Sequence, residues 1–413
     1  MNHRHISLWT FVVLALAAPA MLHAQTQPPP PMGPVEDPAE TARIRMGPLF
    51  VQPNFSLRNV GRDNNVFNDP ANPKSDWTAT VTMGMLAGLR YGPSRLTVAT
   101  ATDYVYFARE RTERSIDGAT RLQFEIRSER LRPWVAMDRV KTHARAGLEI
   151  DARAGREMPS YEAGVEYRPG LRLGMRAIGK QRKVQYLEDD DGFRGVDLGD
   201  ALDARYDEAS LQLLYEISPL SSFRVSGEMS RARFDTATIR DSDDVAVFAG
   251  IEGKRDAAIR GHIDVGWRRR TPRDSAAPSY AGVVARASAA FVMLDQLRLS
   301  FAADRDIPWS YEEFYTFYVQ QGGTTTLTWR PHDRFELLTT GRHYWLDYEK
   351  GLDDRAVLRT DKLYSYGGGF GFFLRGYPGT RLGVMAERAV RDSVLADRRY
   401  DTPRVYTTVG FSF

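Results

Sequence analysis

From Gly47 to the C-terminus, apolar and polar side chains alternate with a period of two in segments of about ten residues. The longest unbroken segment puts Trp77, Ala79, Val81, Met83, Met85, Ala87, Leu89 and Tyr91 on one face and Thr78, Thr80, Thr82 and Gly84 on the other. Leu49, Val51, Phe55 and Leu57 open the series. Val405, Thr407, Val409, Phe411 and Phe413 close it on a terminal aromatic. A strand turns successive side chains to opposite faces, so each segment is a strand with one greasy and one polar face. The pattern predicts about eighteen strands, among them segments around 314–329, 334–347, 362–374 and 381–389. Sixteen is the alternative count, because 141–159 does not resolve into strands.

The connections fall into two classes that take turns. Gly92-Pro93-Ser94, Arg168-Pro169-Gly170, Ser218-Pro219-Leu220-Ser221, Leu294-Asp295-Gln296 and Gly376-Tyr377-Pro378-Gly379 have the residues of tight turns. Between them lie longer polar stretches at 59–75, 182–203, 235–242, 348–361 and 390–402. Short turns alternating with long loops are the connectivity of a transmembrane antiparallel up-and-down β-barrel; a soluble sandwich has no reason to keep it. The expected fold is therefore all-β, a barrel over residues 47–413 whose closing strand resembles the assembly signal read by the barrel assembly machinery.

The N-terminus fits an exported chain. Leu8–Ala18 is an apolar run behind Arg4, of signal-peptide length and too short to span a bilayer. Cleavage after Ala20 or after Ala24 is consistent with the small residues there; the second is preferred, giving a signal peptide over 1–24. Residues 25–46, with Pro28–Pro31, Pro34 and Pro38, cannot build a core and read as an extended periplasmic lead-in.

Composition leaves a barrel standing and removes other classes. The mean hydropathy is negative, as it is for barrels, where only alternate strand residues meet lipid. The 413 residues include no cysteine, so neither disulfides nor thiolate chemistry are available. Lysine and arginine total 56 against 53 acids, without the concentrated basic face that nucleic acid requires.

Charges on the polar register would cost roughly 2–4 kcal/mol for a basic residue against the lipid midplane, so that register must face water. It carries Arg90, Arg121, Arg172, Arg176, Arg224, Arg260, Arg268, Arg286, Arg298 and Arg342, with Glu125, Glu162, Asp264 and Glu336 interleaved. A ring of sixteen to eighteen strands leaves an aqueous bore, and these residues are expected to line it. Two roles stand open for them: cross-strand networks that stiffen the wall, and selectivity for anionic or sugar-like solutes. Trp77, Tyr104, Tyr106, Tyr167, Trp267 and Trp329 fall near strand ends on the apolar register and, with Phe413, are expected at the membrane interfaces.

Catalysis and metal binding find little support. His262 and Asp264 share a strand face, yet no serine is placed beside them, and structural lumen residues are the better reading. Tyr186–Gly192 is acidic but lacks the end ligands of an EF-hand loop and reads as a solvated loop. No enzyme activity, cofactor or metal site is expected.

Gly61-Arg62-Asp63-Asn64-Asn65-Val66-Phe67 resembles the opening element of the putative β-barrel porin 2 family. Glu149–Ala154, Tyr161–Pro169 and Tyr364–Gly369 are similar to its midsection and late strands. The resemblance implies a monomeric barrel in the outer membrane of a Gram-negative-type bacterium, in contact with lipid and lipopolysaccharide. It also implies a link to exopolysaccharide export, with polysaccharide or its export proteins as partners. The function expected is a porin-like channel passing polar solutes or exported polysaccharide. The competing expectation is a non-conducting accessory barrel blocked by loops or by the lead-in.

Overall fold

Strands with one greasy and one polar face leave no unpaired edge only when the sheet closes on itself. The computed structural model describes residues 42, 44–64, 66, 73–187, 193–254, 257, 259–293, 296–374 and 380–410. Its strands are Ile44–Met46 (β1), Leu49–Asp63 (β2), Asp76–Tyr91 (β3), Ser94–Phe107 (β4), Ser115–Ile126 (β5), Leu131–Thr142 (β6), Arg156–Tyr167 (β7), Leu173–Tyr186 (β8) and Ala204–Ser218 (β9). They continue with Ser221–Phe234 (β10), Ser242–Gly253 (β11), Ile259–Pro272 (β12), Tyr280–Met293 (β13), Leu297–Asp306 (β14), Val319–His332 (β15), Phe335–Tyr348 (β16), Arg359–Phe373 (β17), Arg381–Asp392 (β18) and Tyr400–Gly410 (β19). From β2 to β19 each strand pairs antiparallel with the next, and β19 meets β2. Eighteen strands thus close the ring, and β1 is a three-residue hairpin arm on β2. The last residues of the proline-rich segment are therefore paired to the sheet.

The seam between β19 and β2 is irregular. The β2–β3 register steps between Arg58 and Gly61, and Asn59 takes a φ of 54°, the signature of a bulge. A Cβ on Gly61 would stand 2.7 Å from the Thr407 backbone nitrogen, so only glycine lets the two backbones approach here. The Thr407 hydroxyl donates to the Val60 carbonyl, and Arg404 pairs with Asp63 at 3.6 Å.

The apolar register looks outward. Met83, Ile116, Val135, Tyr161, Leu211, Val247, Val265 and Val384 are all exposed. The other register holds the buried charges, among them Arg121, Asp264, Glu336 and Arg381. Aromatics ring both ends of the greasy band. Tyr91, Tyr167 and Trp329 stand at the short-turn end, and Trp77, Tyr104, Tyr106 and Trp267 toward the long-loop end, all exposed. Tyr104 lies opposite Val81. From residue 81 to 91 is roughly 33 Å of strand, or about 25 Å along a barrel axis tilted by some 40°, the height of a transmembrane apolar band.

Candidate functional site

On the inner wall the charges are tied across strands. The Arg121 guanidinium donates to Asp138 at 2.8 Å and to Glu162 at 3.3 Å, and the Trp134 indole N–H donates to Glu162 at 2.8 Å. Asp264, 1 % exposed, accepts from Arg224 at 2.5 Å and from Arg286 at 3.2 Å, and Arg286 continues to Glu228 at 2.6 Å. Glu336 accepts from Arg330 at 2.8 Å and Arg381 at 2.9 Å. Glu166 holds Arg176 at 2.8 Å and Arg168 at 2.6 Å, Glu125 holds Arg127 at 2.6 Å, and Arg268 reaches Asp306 at 2.5 Å. Both arginines of this network end on the Asp264 carboxylate.

Arg90, Arg260, Arg298 and Arg342 occupy the same inward register. Arg90 packs 5.2 Å from the Phe50 ring, and Arg260 turns back on the Ala257 carbonyl at 3.4 Å. Arg172 departs from expectation. Pro169 and Gly170 widen the turn, β8 begins only at Leu173, and Arg172 stands exposed in the turn, not on the wall. The acidic stretch 188–192 lies outside the described residues, as do the signal segment and residues 411–413 of the closing strand, Phe413 among them.

The loops at the far end do more than cap the barrel. Residues 143–155, between β6 and β7, and 307–318, between β14 and β15, carry side chains buried against the inner wall. The expected strand at 314–329 in fact begins at Val319. Its first five residues belong to a segment holding Trp309, Tyr311, Phe314, Tyr315, Phe317 and Tyr318, too aromatic to remain in water. Tyr315 meets Tyr348 edge-on at 5.1 Å, and Tyr318 stacks on it at 5.4 Å.

Glu149 joins the two loops to the wall. Its Oε1 accepts from the Ser310 hydroxyl at 2.7 Å and the Tyr348 hydroxyl at 2.8 Å, and its Oε2 accepts from the Tyr311 N–H at 3.1 Å. Burial, and secondarily the neighbouring Glu312, raises the Glu149 carboxyl above the usual glutamate range. Arg391, on β18 and six strands round the ring from β6, donates to the Leu148 carbonyl at 3.3 Å and to Asp361 at 2.7 Å. Arg240, from the connection after β10, donates to the carbonyls of Ser310 at 3.0 Å and Glu312 at 2.9 Å. Glu312 in turn accepts from Arg359 at 3.1 Å and Arg398 at 2.5 Å. Both loops are therefore anchored at several points across the bore.

Between these loops and the wall of β7–β12 lies a chamber of about 850 Å³. Among its charges, Arg182 pairs with Glu208 at 3.3 Å and Arg270 with Asp244 at 2.9 Å. Its aromatic rings are partly covered by guanidinium groups, Arg270 over Trp309 at 3.7 Å and Arg182 over Tyr206 at 4.4 Å. Arg156 on its rim donates to the Ala144 carbonyl at 2.9 Å, fixing the base of the first loop. Paired charges and ring edges in one wet chamber offer many hydrogen bonds and little net field.

The comparisons with known proteins follow this geometry. A family profile described as putative beta-barrel porin 2 matches residues 37–409. The fold is similar to that of Pseudomonas aeruginosa OccK2 (OpdF), at 11% identity and a TM-score of 0.52, covering 88% of this chain and 98% of that one. It is likewise similar to Pseudomonas aeruginosa OpdO, at 11% identity and TM-score 0.51, covering 88% and 97%. A BenF-like porin from Pseudomonas fluorescens Pf-5 matches at 11% identity and TM-score 0.51, covering 88% and 99%. Among curated protein sequences no significant match was found.

Proposed function

Because the chain belongs to the putative beta-barrel porin 2 family, we propose that it is a passive outer-membrane channel for small polar solutes. The observation that carries the reading is the chamber between the inward loops and the β7–β12 wall, where donors, acceptors and aromatic edges converge around a confined aqueous space. Paired guanidinium and carboxylate groups favour solutes rich in hydroxyls over those with high net charge. A bore narrowed by two anchored loops also favours small molecules over an exported polysaccharide chain. Purified protein in a planar bilayer should give stepwise conductance that a neutral sugar reduces on addition to either side. Folded protein that inserts and stays silent overturns the reading.

The latch at Glu149 favours a second reading, a barrel held shut by its own loops. Under it, wild-type protein is silent and variants that release residues 143–155 conduct.

A further inference from the structure

The outer face of the barrel is not charged evenly at its long-loop end. On one flank, Arg139 and Lys141 of β6, Lys183 of β8, Arg205 of β9, Arg231 and Arg233 of β10 and Arg269 of β12 all fall on the outward register. Lys183 stands directly opposite Arg205, and Arg205 directly opposite Arg233. Like charges in direct cross-strand register destabilise a sheet. Nearby acids compensate only in part. Arg139 and Lys141 share Glu157, at 3.2 and 4.0 Å, and Arg231 and Arg233 share Asp243, at 3.9 and 2.7 Å. Lys183 pairs with Asp235 at 3.4 Å and Arg205 with Asp207 at 3.3 Å. Among the described residues the row thus keeps an excess of positive charge at the edge of the greasy band, seven cations against four acids, which an external anion would complete.

Immediately toward the short-turn end, the same strands lose their side chains. Ala163, Gly179 and Ala209 stand in one cross-strand row, with Ala177 and Gly227 in the next. These small residues open two apolar grooves of about 660 and 800 Å³, walled by Leu122, Met137, Leu211, Met229, Val245 and Val247. The step from the cationic row to the grooves is two to four residues, roughly 7–14 Å. A cationic row above paired apolar furrows matches a molecule with phosphates at one end and several acyl chains at the other.

We infer that this flank is a binding site for a phosphorylated, multiply acylated glycolipid of the outer leaflet, of the lipid A type. Its phosphates bridge Lys183, Arg205 and Arg233, and its chains lie in the furrow over Gly179 and Gly227. A second copy of the chain is a poor occupant, since a two-fold contact through this face would set cation against cation. The inference rests on the membrane-barrel reading and not on conduction, so the two fail separately.

The test uses the full barrel in phosphatidylcholine vesicles with and without lipid A, reading bound lipid by native mass spectrometry and conductance in parallel. The triple variant Lys183→Gln, Arg205→Gln, Arg233→Gln should lose about a hundredfold in lipid A affinity, at about fivefold per cation. A Cβ on Gly179 or Gly227 meets nothing within 4 Å, so Gly179→Leu with Gly227→Leu fills the furrow without moving the backbone. That variant should lose lipid A at least about tenfold while the cations stay in place. Lys362→Gln with Arg388→Gln, outward-facing on another flank, should bind as the wild type does. Lipid A affinity within twofold of wild type in the triple variant overturns the proposal. So does a change from dimer to monomer in that variant with lipid binding intact, which would make the flank a self-interface.

Discussion

Replacing Glu149 by alanine removes one acceptor group from three donors at once. The Ser310 hydroxyl, the Tyr348 hydroxyl and the Tyr311 N–H all end on its carboxyl, and all three residues are at most 3 % exposed. A buried donor left without a partner costs about 1–3 kcal/mol. Water entering the vacated space recovers part of this, so the low end applies, about 3 kcal/mol for the set. That is a shift of about a hundredfold in the equilibrium between anchored and released loops. The chain has no cysteine, so a single Ala154→Cys, placed where the wall buries it, reports release by thiol labelling without background. Labelling of Ala154→Cys should accelerate about a hundredfold on adding Glu149→Ala, and the bilayer conductance of Glu149→Ala should rise or become noisier. Labelling and conductance both within twofold of the parent would refute the latch. The titration has a definite sign. A carboxyl whose folded pKa is raised contributes stability that is complete below the unfolded value of about 4.3 and is lost as pH rises through the folded one. Labelling of the parent should therefore speed up as pH climbs above the ordinary glutamate range, and Glu149→Gln should flatten that dependence.

Three further outcomes follow from the wall and its backbone. Asp264→Asn takes the counter-charge from Arg224 and Arg286, 15% and 39% exposed, and should cost about 1–3 kcal/mol after screening, read as earlier unfolding in detergent. Gly261→Ala should abolish assembly, because its φ is +126° and a Cβ would stand 1.9 Å from the Ser288 carbonyl oxygen, whereas Gly179→Ala should assemble as the wild type does. Asn59→Gly should leave the seam intact, and Asn59→Val should weaken it by about 1–2 kcal/mol, since a branched side chain resists positive φ; the heat needed to unfold the barrel in detergent reports both.

The ring of strands is legible in the chain because a membrane barrel enforces period two everywhere that one face meets lipid. Trp77 through Tyr91 could be assigned to a face residue by residue for that reason. The alternating turn classes then ordered the strands, and an even number of them allows β19 to meet β2 antiparallel. The approximate inner register was also legible, since a charge such as Arg121 or Glu336 cannot face hydrocarbon. What could not be read was which charges meet. Arg224 finds Asp264 two strands away in the ring, a matter of register that a single sequence does not print.

The two segments that resisted or misled the periodicity, 141–159 and the start of 314–329, both hold residues that fold into the bore, 143–155 and 314–318. The first lacks any period, and Glu149 within it finds Ser310 from 161 positions away. The second mimics a strand because Tyr311, Tyr315 and Phe317 fall on odd positions, yet they bury against Arg398, Tyr348 and Tyr280. A signal was present all the same: six aromatics within the twelve residues 307–318 cannot be a solvated loop. Lipid writes a period into the strands, and water inside the bore writes none. The residues that shape passage are therefore held by contacts between distant loops, and a lapse in alternation within an otherwise regular barrel is itself a pointer to the constriction.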